Sequence, residues 1–171
     1  ILYRPLLTTA FLLADFFTDK YFFNAQQIVI SSASSKTALS TALLLQPHNI
    51  KVIGLTSANN KSFTEGLELY DAVLSYDDTE LLKQQLTTAY IDLSGNQALL
   101  TSVHQHLGEQ LLYSCSVGLT HWQALNSDTR QPLAGAKPEM FFAPDQLRKR
   151  TKDWGAAEFQ RRLNTVWLEF I

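Results

Sequence analysis

The chain has 171 residues, 46% of them apolar and 18% charged, with 14 basic against 16 acidic side chains and a net charge of −2. That length makes one domain, which can bury about 70% of the surface its unfolded form exposes and needs no disulfide or metal staple. The charge balance leaves no excess to neutralise a phosphate backbone, which argues against general nucleic-acid binding. No apolar run reaches the ~20 residues of a membrane span. A single cysteine, Cys115, excludes an internal disulfide framework and a cysteine-only metal cage, so a soluble cytoplasmic domain with no metal is expected. The only Met is Met140, and the chain opens Ile1-Leu2-Tyr3-Arg4 with neither an initiator Met nor a signal peptide, as a piece of a larger protein would.

In chain order, 6–17 reads as a helix rich in apolar residues (Leu6, Leu7, Phe11, Leu12, Phe16). Strands follow at 28–31, 51–55, 72–74, 89–93 and 111–115, each short, rich in Val, Ile, Leu or Tyr, and bounded by Ser, Asn, Asp or Gly. Helices are expected between them at 36–45, 62–69, 78–87 and 97–106. Connections of that length cannot be tight hairpins, and crossovers within one sheet imply parallel, right-handed units. The first two strands are apolar without alternation, as expected where helices cover both faces. The fold class that follows is α/β, a doubly wound, mostly parallel Rossmann-type sheet with helices on both faces. Met140-Phe141-Phe142, ahead of Pro144, makes a short sixth strand. The segment 146–171 is a helical tail carrying Trp154, Phe159, Leu163, Trp167 and Phe170. It is read as packing over the sheet edge, with a homodimer or partner surface as the alternative. The organisation is therefore a leading helix over 1–25, a nucleotide-binding unit over 26–145, and the tail.

In such sheets ligands bind beyond the carboxyl ends of the strands, where strand order reverses. The loop after the first strand reads Ser31-Ser32-Ala33-Ser34-Ser35-Lys36-Thr37-Ala38. A pyrophosphate needs small residues here, for a tight turn, for close approach of backbone amides and for close helix packing. Ser32, Ser35 and Ala38 stand at the three glycine positions; all are small and none is glycine. A plain serine-rich helix cap fits the loop equally well. The second strand ends Thr56-Ser57-Ala58-Asn59-Asn60-Lys61 with no acid for the adenosine ribose hydroxyls. Hydroxyls followed by a lysine suit a 2′-phosphate, so NADP is expected rather than NAD. A solvated lysine at a helix start is the plainer reading of Lys61.

The run 52–61, followed by Leu69-Tyr70-Asp71-Ala72-Val73-Leu74-Ser75-Tyr76-Asp77-Asp78, resembles the second and third strands of the medium-chain dehydrogenase/reductase superfamily. The resemblance is to the nucleotide-binding half of its quinone-oxidoreductase-like branch. It extends over most of the chain up to Trp122, by pattern more than by rare motif. It implies that Lys61 and Tyr76 meet the adenosine phosphate. Asp92-Leu93-Ser94-Gly95 matches the turn after the family's fourth strand, and Ser114-Cys115-Ser116-Val117-Gly118 the loop near the nicotinamide. Tyr3-Arg4-Pro5-Leu6-Leu7-Thr8-Thr9-Ala10-Phe11 resembles the helix that precedes the nucleotide domain. What the resemblance implies is an NADP-dependent oxidoreductase transferring hydride to a carbonyl, quinone or enone. The cofactor would be held by Ser32, Ser34, Ser35, Lys36, Thr37, Thr56, Ser57, Lys61, Tyr76, Asp92, Ser94, Gly95, Ser116 and Gly118. The substrate is a small molecule, and the substrate acid or base is not named. The family's GroES-like substrate domain has no counterpart in these residues and is expected before Ile1. The alternative is a degenerate Rossmann domain acting as a scaffold or dimerisation module.

Other patterns carry less. A P-loop would need glycines where Ser35 and Ile30 stand. His104 and His106 are two apart in a helix, where a metal pair wants four. Cys115 with His121 could make a thiolate–imidazole pair, but a small buried strand cysteine is the plainer reading. Glu65, Glu68 and Asp71, and Asp77, Asp78 and Glu80, read as solvated faces and helix-start acids. Arg148-Lys149-Arg150 with Lys152 reads as an exposed helix face.

Overall fold

The computed structural model describes residues 3–117 and 133–170. Helix α1 (Tyr3–Asp19) leads to β1 (Gln27–Ile30), α2 (Lys36–Leu45), β2 (Lys51–Thr56), α3 (Ala58–Gly66) and β3 (Ala72–Ser75). Then come β4 (Thr88–Asp92), α4 (Gln97–Leu107), β5 (Leu111–Val117), β6 (Glu139–Phe141), α5 (Ala143–Trp154) and α6 (Ala156–Phe170). The six strands lie in the order β3-β2-β1-β4-β5-β6, and every pairing is parallel. The order reverses between β1 and β4, so the doubly wound sheet expected from the pattern is present with its switch point there.

Successive residues of β1 face opposite layers. Ile28 and Ile30 join Leu13 and Phe17 of α1, Ala38 and Leu45 of α2, and Phe159 of α6. Val29 turns the other way, to Leu55, Tyr90 and the α4 residues Leu99, Val103 and Leu107. Leu13, Phe17, Ile28, Ile30 and Leu45 are completely buried, and each such side chain contributes about 1.5–3 kcal/mol of transfer free energy.

The structure corrects four expectations. No α-helix covers 78–87; a 3₁₀ segment, Tyr76–Leu81, is followed by bends and turns that lead into β4. The residues after it are tied to α4 through a backbone carbonyl and a side chain. His106 Nε2 lies 2.8 Å from the Leu82 carbonyl, and Gln84 Nε2 donates to the His106 carbonyl at 2.7 Å. The helix expected at 62–69 begins at Ala58 and ends at Gly66, and Glu68 beyond it is left-handed (φ +55°). The tail is two helices, because Gly155 at φ +85° turns the chain between them. It packs on α1 rather than over a sheet edge: Phe159 meets Phe11 edge-on at 5.7 Å, and Leu163 is buried in the same layer. Lastly, Arg148, Lys149 and Lys152 are exposed as expected, but Lys149 and the less exposed Arg150 also clasp α5 to α1. Lys149 pairs with Asp19, and Arg150 Nε lies 2.7 Å from Asp15 Oδ2. The Lys149 ammonium and the nearby Arg150 hold the Asp19 carboxyl below its ordinary range.

The link from α1 to β1 is unusual. Tyr21, Phe22, Phe23 and Asn24 all have φ between +53° and +62°, a conformation costing about 1–2 kcal/mol per non-glycine residue. Aromatic packing opposes that cost. The Phe23 ring stacks on Tyr113 at 3.7 Å between centroids, and Phe17 meets Phe23 at 5.4 Å.

Beyond the carboxyl end of β1, Ala33 is drawn against β2. Its N–H donates to the Leu55 carbonyl at 3.0 Å, and its carbonyl accepts from the Tyr70 hydroxyl at 2.8 Å. This approach is allowed by Gly54, where a Cβ would lie 2.8 Å from that of Ala33 and 3.1 Å from the Tyr70 ring. Gly54→Ala should therefore cost about 1–3 kcal/mol through overpacking, read as a lowered urea midpoint. An unchanged midpoint would mean that the loop is not held this tightly.

Candidate functional site

The site is built on the carboxyl edge of the sheet, around the switch point. Ser31 leaves β1 fully buried, its N–H donating to the Ile91 carbonyl at 3.0 Å. The Ser31 hydroxyl donates to Asp92 Oδ1 at 2.9 Å and accepts from the N–H groups of Leu93 (2.9 Å) and Ser94 (3.2 Å). Asp92 Oδ1 also accepts from Ser94 N–H (2.9 Å), Ser94 Oγ (2.8 Å) and Gly95 N–H (3.2 Å). One buried carboxylate thus ties the loop after β1 to the turn after β4. Gly95 makes that turn at φ +68°, and Asn96 caps α4 by accepting from Leu99 N–H at 3.1 Å.

In the loop itself, Ser32 adopts φ +54°, the left-handed conformation that glycine takes most readily. Its N–H donates to the Tyr76 hydroxyl at 3.1 Å. Ser35 caps α2, its hydroxyl accepting from Ala38 N–H at 3.2 Å, and Ala38 is fully buried against the sheet. The Thr56 hydroxyl, at the end of β2, donates to Ser34 Oγ at 3.3 Å. Lys36 and Thr37 occupy the first turn of α2, and Lys36 is exposed.

The sequence-derived set is therefore brought together only in part. Ser32 meets Tyr76, Ser34 meets Thr56, and Asp92, Ser94 and Gly95 form one turn. Ser116 sits opposite Asp92 in the β4–β5 register and is buried. Ser57 precedes α3 and makes no side-chain cap there. Lys61 lies one turn into α3 and pairs with Glu65 at 2.6 Å. Gly118 and His121 lie outside the described residues.

Cys115 is fully buried, as a small strand cysteine in the core would be, and burial pushes its thiol far above the ordinary range. Asp71 is not merely solvated: its Oδ2 accepts from Val52 N–H at 2.7 Å. Three features carried no sequence signal. Tyr70 clamps the loop, as above. The Tyr90 hydroxyl, beneath the switch point, is buried with no hydrogen-bond partner among the described residues. His104, fully buried on α4, lies 2.8 Å from the Ala134 carbonyl through Nδ1 and 2.8 Å from Ser114 Oγ through Nε2. Nδ1 can only donate to a carbonyl, so the neutral ring accepts from Ser114 through Nε2. This pair is a structural tie between α4, β5 and the segment before β6, closed to solvent.

The sheet order and the loop at its switch point are those of a dinucleotide-type α/β domain. A family model matches residues 1–171, so the chain belongs to the family described as proteins of unknown function, DUF2855. Comparison with curated proteins finds no match. Among solved structures the chain is similar to a candidate NADPH:quinone reductase from Mesorhizobium loti, with a TM-score of 0.65 at 12% identity, covering 94% of this chain and 48% of that one. It is also similar to a mutant enoyl thioester reductase from Candida tropicalis (TM-score 0.59, 13% identity, 94% and 46% covered). A candidate NADPH:quinone reductase from Bacillus thuringiensis matches as well (TM-score 0.58, 20% identity, 92% and 48% covered). The chain spans about half the length of these proteins, and the likeness establishes the fold. Among the described residues, no helix is long and apolar enough to cross a membrane.

Two outcomes follow from the buried polar groups. Asp92→Ala strands the Ser31 hydroxyl and the turn amides, and should cost about 3 kcal/mol in urea unfolding; a loss under about 1 kcal/mol would show that the carboxylate does not tie the two loops. Burial holds the His104 pKa below the ordinary 6.5. The unfolded chain then binds the proton first, so His104's contribution is complete above pH 6.5 and is lost as pH falls from there towards the lower folded value. Urea midpoints at pH 7.5, 6 and 5 should fall in that order, and His104→Gln should flatten the trend; an equal slope in the variant would exclude His104 as its source.

Proposed function

We propose that this chain is the cofactor-binding half of an NADP-dependent oxidoreductase that reduces a carbonyl, quinone or enone. The observation that carries the reading is the convergence, at the β1–β4 switch point, of a small-residue loop opening α2 with the Asp92–Gly95 turn. The residues fit a pyrophosphate on conformational grounds. Ser32 supplies the left-handed residue, Gly54 the room for close approach at Ala33, and buried Ala38 the close packing of α2. The amides opening α2 would receive the phosphates, with the hydroxyls of Ser34, Ser35 and Thr37 and the Lys36 ammonium beside them. Thr56, Ser57, Lys61 and the ring of Tyr76 would define the adenosine end, and Asp92, Ser94, Gly95, Ser116 and Gly118 the nicotinamide end. The cofactor supplies the hydride; the protein's share is orientation and electrostatics. The absence of an acid after β2 supports NADP over NAD. Another matched structure, an Etr1p mutant, is a complex with NADP and crotonyl-CoA, which is consistent with this class of ligand.

A second reading, a non-catalytic scaffold or dimerisation module, is favoured by one observation: the Ser32 amide is already occupied by Tyr76. Fluorescence titration of the full-length protein separates the two. NADPH should bind more tightly than NADH, and Lys61→Ala should weaken NADPH about five-fold while leaving NADH unchanged, the size expected of one exposed charge pair. Binding of neither cofactor would sink the oxidoreductase reading. Equal affinities would sink the 2′-phosphate assignment alone.

A further inference from the structure

We infer that Tyr76 is a latch on the loop after β1, holding with its own hydroxyl the backbone donor that an anionic ligand would take. This rests on the reading of that loop as a phosphate seat, and adds a closed state to it. Ser32 is the loop's left-handed residue, and its N–H is spent on the Tyr76 hydroxyl oxygen at 3.1 Å. A phenolic oxygen here is a neutral stand-in for a phosphate oxygen: both accept, but only the phosphate carries charge, and charged acceptors make the stronger bond.

The tyrosine is delivered by the sheet. Ser75, the last residue of β3, is in register with Thr56, the last of β2, so Tyr76 emerges at the carboxyl edge beside the loop. It opens the 3₁₀ segment directly, with the Ser75 hydroxyl accepting from Asp77 N–H at 3.2 Å, which fixes where its backbone leaves the strand. The ring is half-buried against the layer containing Val29, Leu55, Tyr90 and Leu99, giving the closed position apolar support. Among the described residues nothing covalent holds it there. A neutral hydrogen bond and partial burial make a contact that a phosphate can displace at modest cost.

The latch should therefore lower anion affinity by the fraction of molecules that are closed. The test compares the full-length protein with Tyr76→Phe, which keeps the ring and removes the oxygen. Amide hydrogen exchange at Ser32, measured without ligand, should quicken about five-fold, and pyrophosphate and NADPH should bind about five-fold more tightly, the factor equivalent to one ordinary net hydrogen bond. Unchanged exchange at Ser32 overturns the latch, whether or not NADPH binds. Faster exchange with weaker pyrophosphate binding also overturns it, and makes the Tyr76 hydroxyl itself a phosphate contact. Faster exchange with no binding of either anion by either protein locates the failure in the phosphate seat, and the inference falls with it. Should Tyr76→Phe not fold, the unmodified protein decides: pyrophosphate must shift the Ser32 amide and Tyr76 ring resonances together, and movement of neither overturns the latch.

Discussion

The carboxyl edge of this protein depends on one close approach, that of Ala33 to β2. The Ala33 amide reaches the Leu55 carbonyl only because residue 54 has no side chain, and the Tyr70 hydroxyl then holds the Ala33 carbonyl from the far side. With Ala33 pinned, Ser32 is forced into the left-handed region and Ser35 is left where its hydroxyl caps α2. Dinucleotide folds obtain such close approach from a glycine in the loop itself; here the room lies outside the loop. The space is provided by Gly54 on the neighbouring strand, and the small size of Ala38 preserves the packing of the helix.

The second support is electrostatic. Asp92 Oδ1 gathers donors from Ser31, Ser94 and Gly95, binding the loops on either side of the switch point into one unit. A residue expected at the nicotinamide end is therefore also a structural element, and its two roles need not conflict, because the contacts described use one carboxylate oxygen. Around these supports the protein spends conformational energy elsewhere. Four consecutive left-handed residues join α1 to β1, held by the stack of Phe23 on Tyr113, so the aromatic side chains of that segment act as a clamp on strained backbone.

Much of the fold was legible because its signals are local. Apolar runs bounded by turn residues marked the strands, and their spacing required parallel crossovers. The misreadings arose where a distant partner decided. Residues 78–87 have helical composition, but the Leu82 carbonyl and the Gln84 side chain are tied to His106 of α4, and the chain makes a 3₁₀ turn and bends instead. Lys149 and Arg150 look solvated on their own helix, and become a clasp only because Asp15 and Asp19 of α1 lie opposite.

At the site, small residues after β1 and hydroxyls after β2 were readable from order and size, and Asp92 through Gly95 after β4 from the family resemblance. By itself the sequence determined the α/β class, the parallel sheet and the candidate edge, since those follow from periodicity and connection length. Only the tertiary structure decided that Gly54 makes room for Ala33, that His104 is a buried tie to Ser114, and that Tyr76 rests on Ser32. Each of these joins residues that lie from 10 to 44 positions apart. Such contacts are set by how the strands register and how the helices pack, and no local pattern records them.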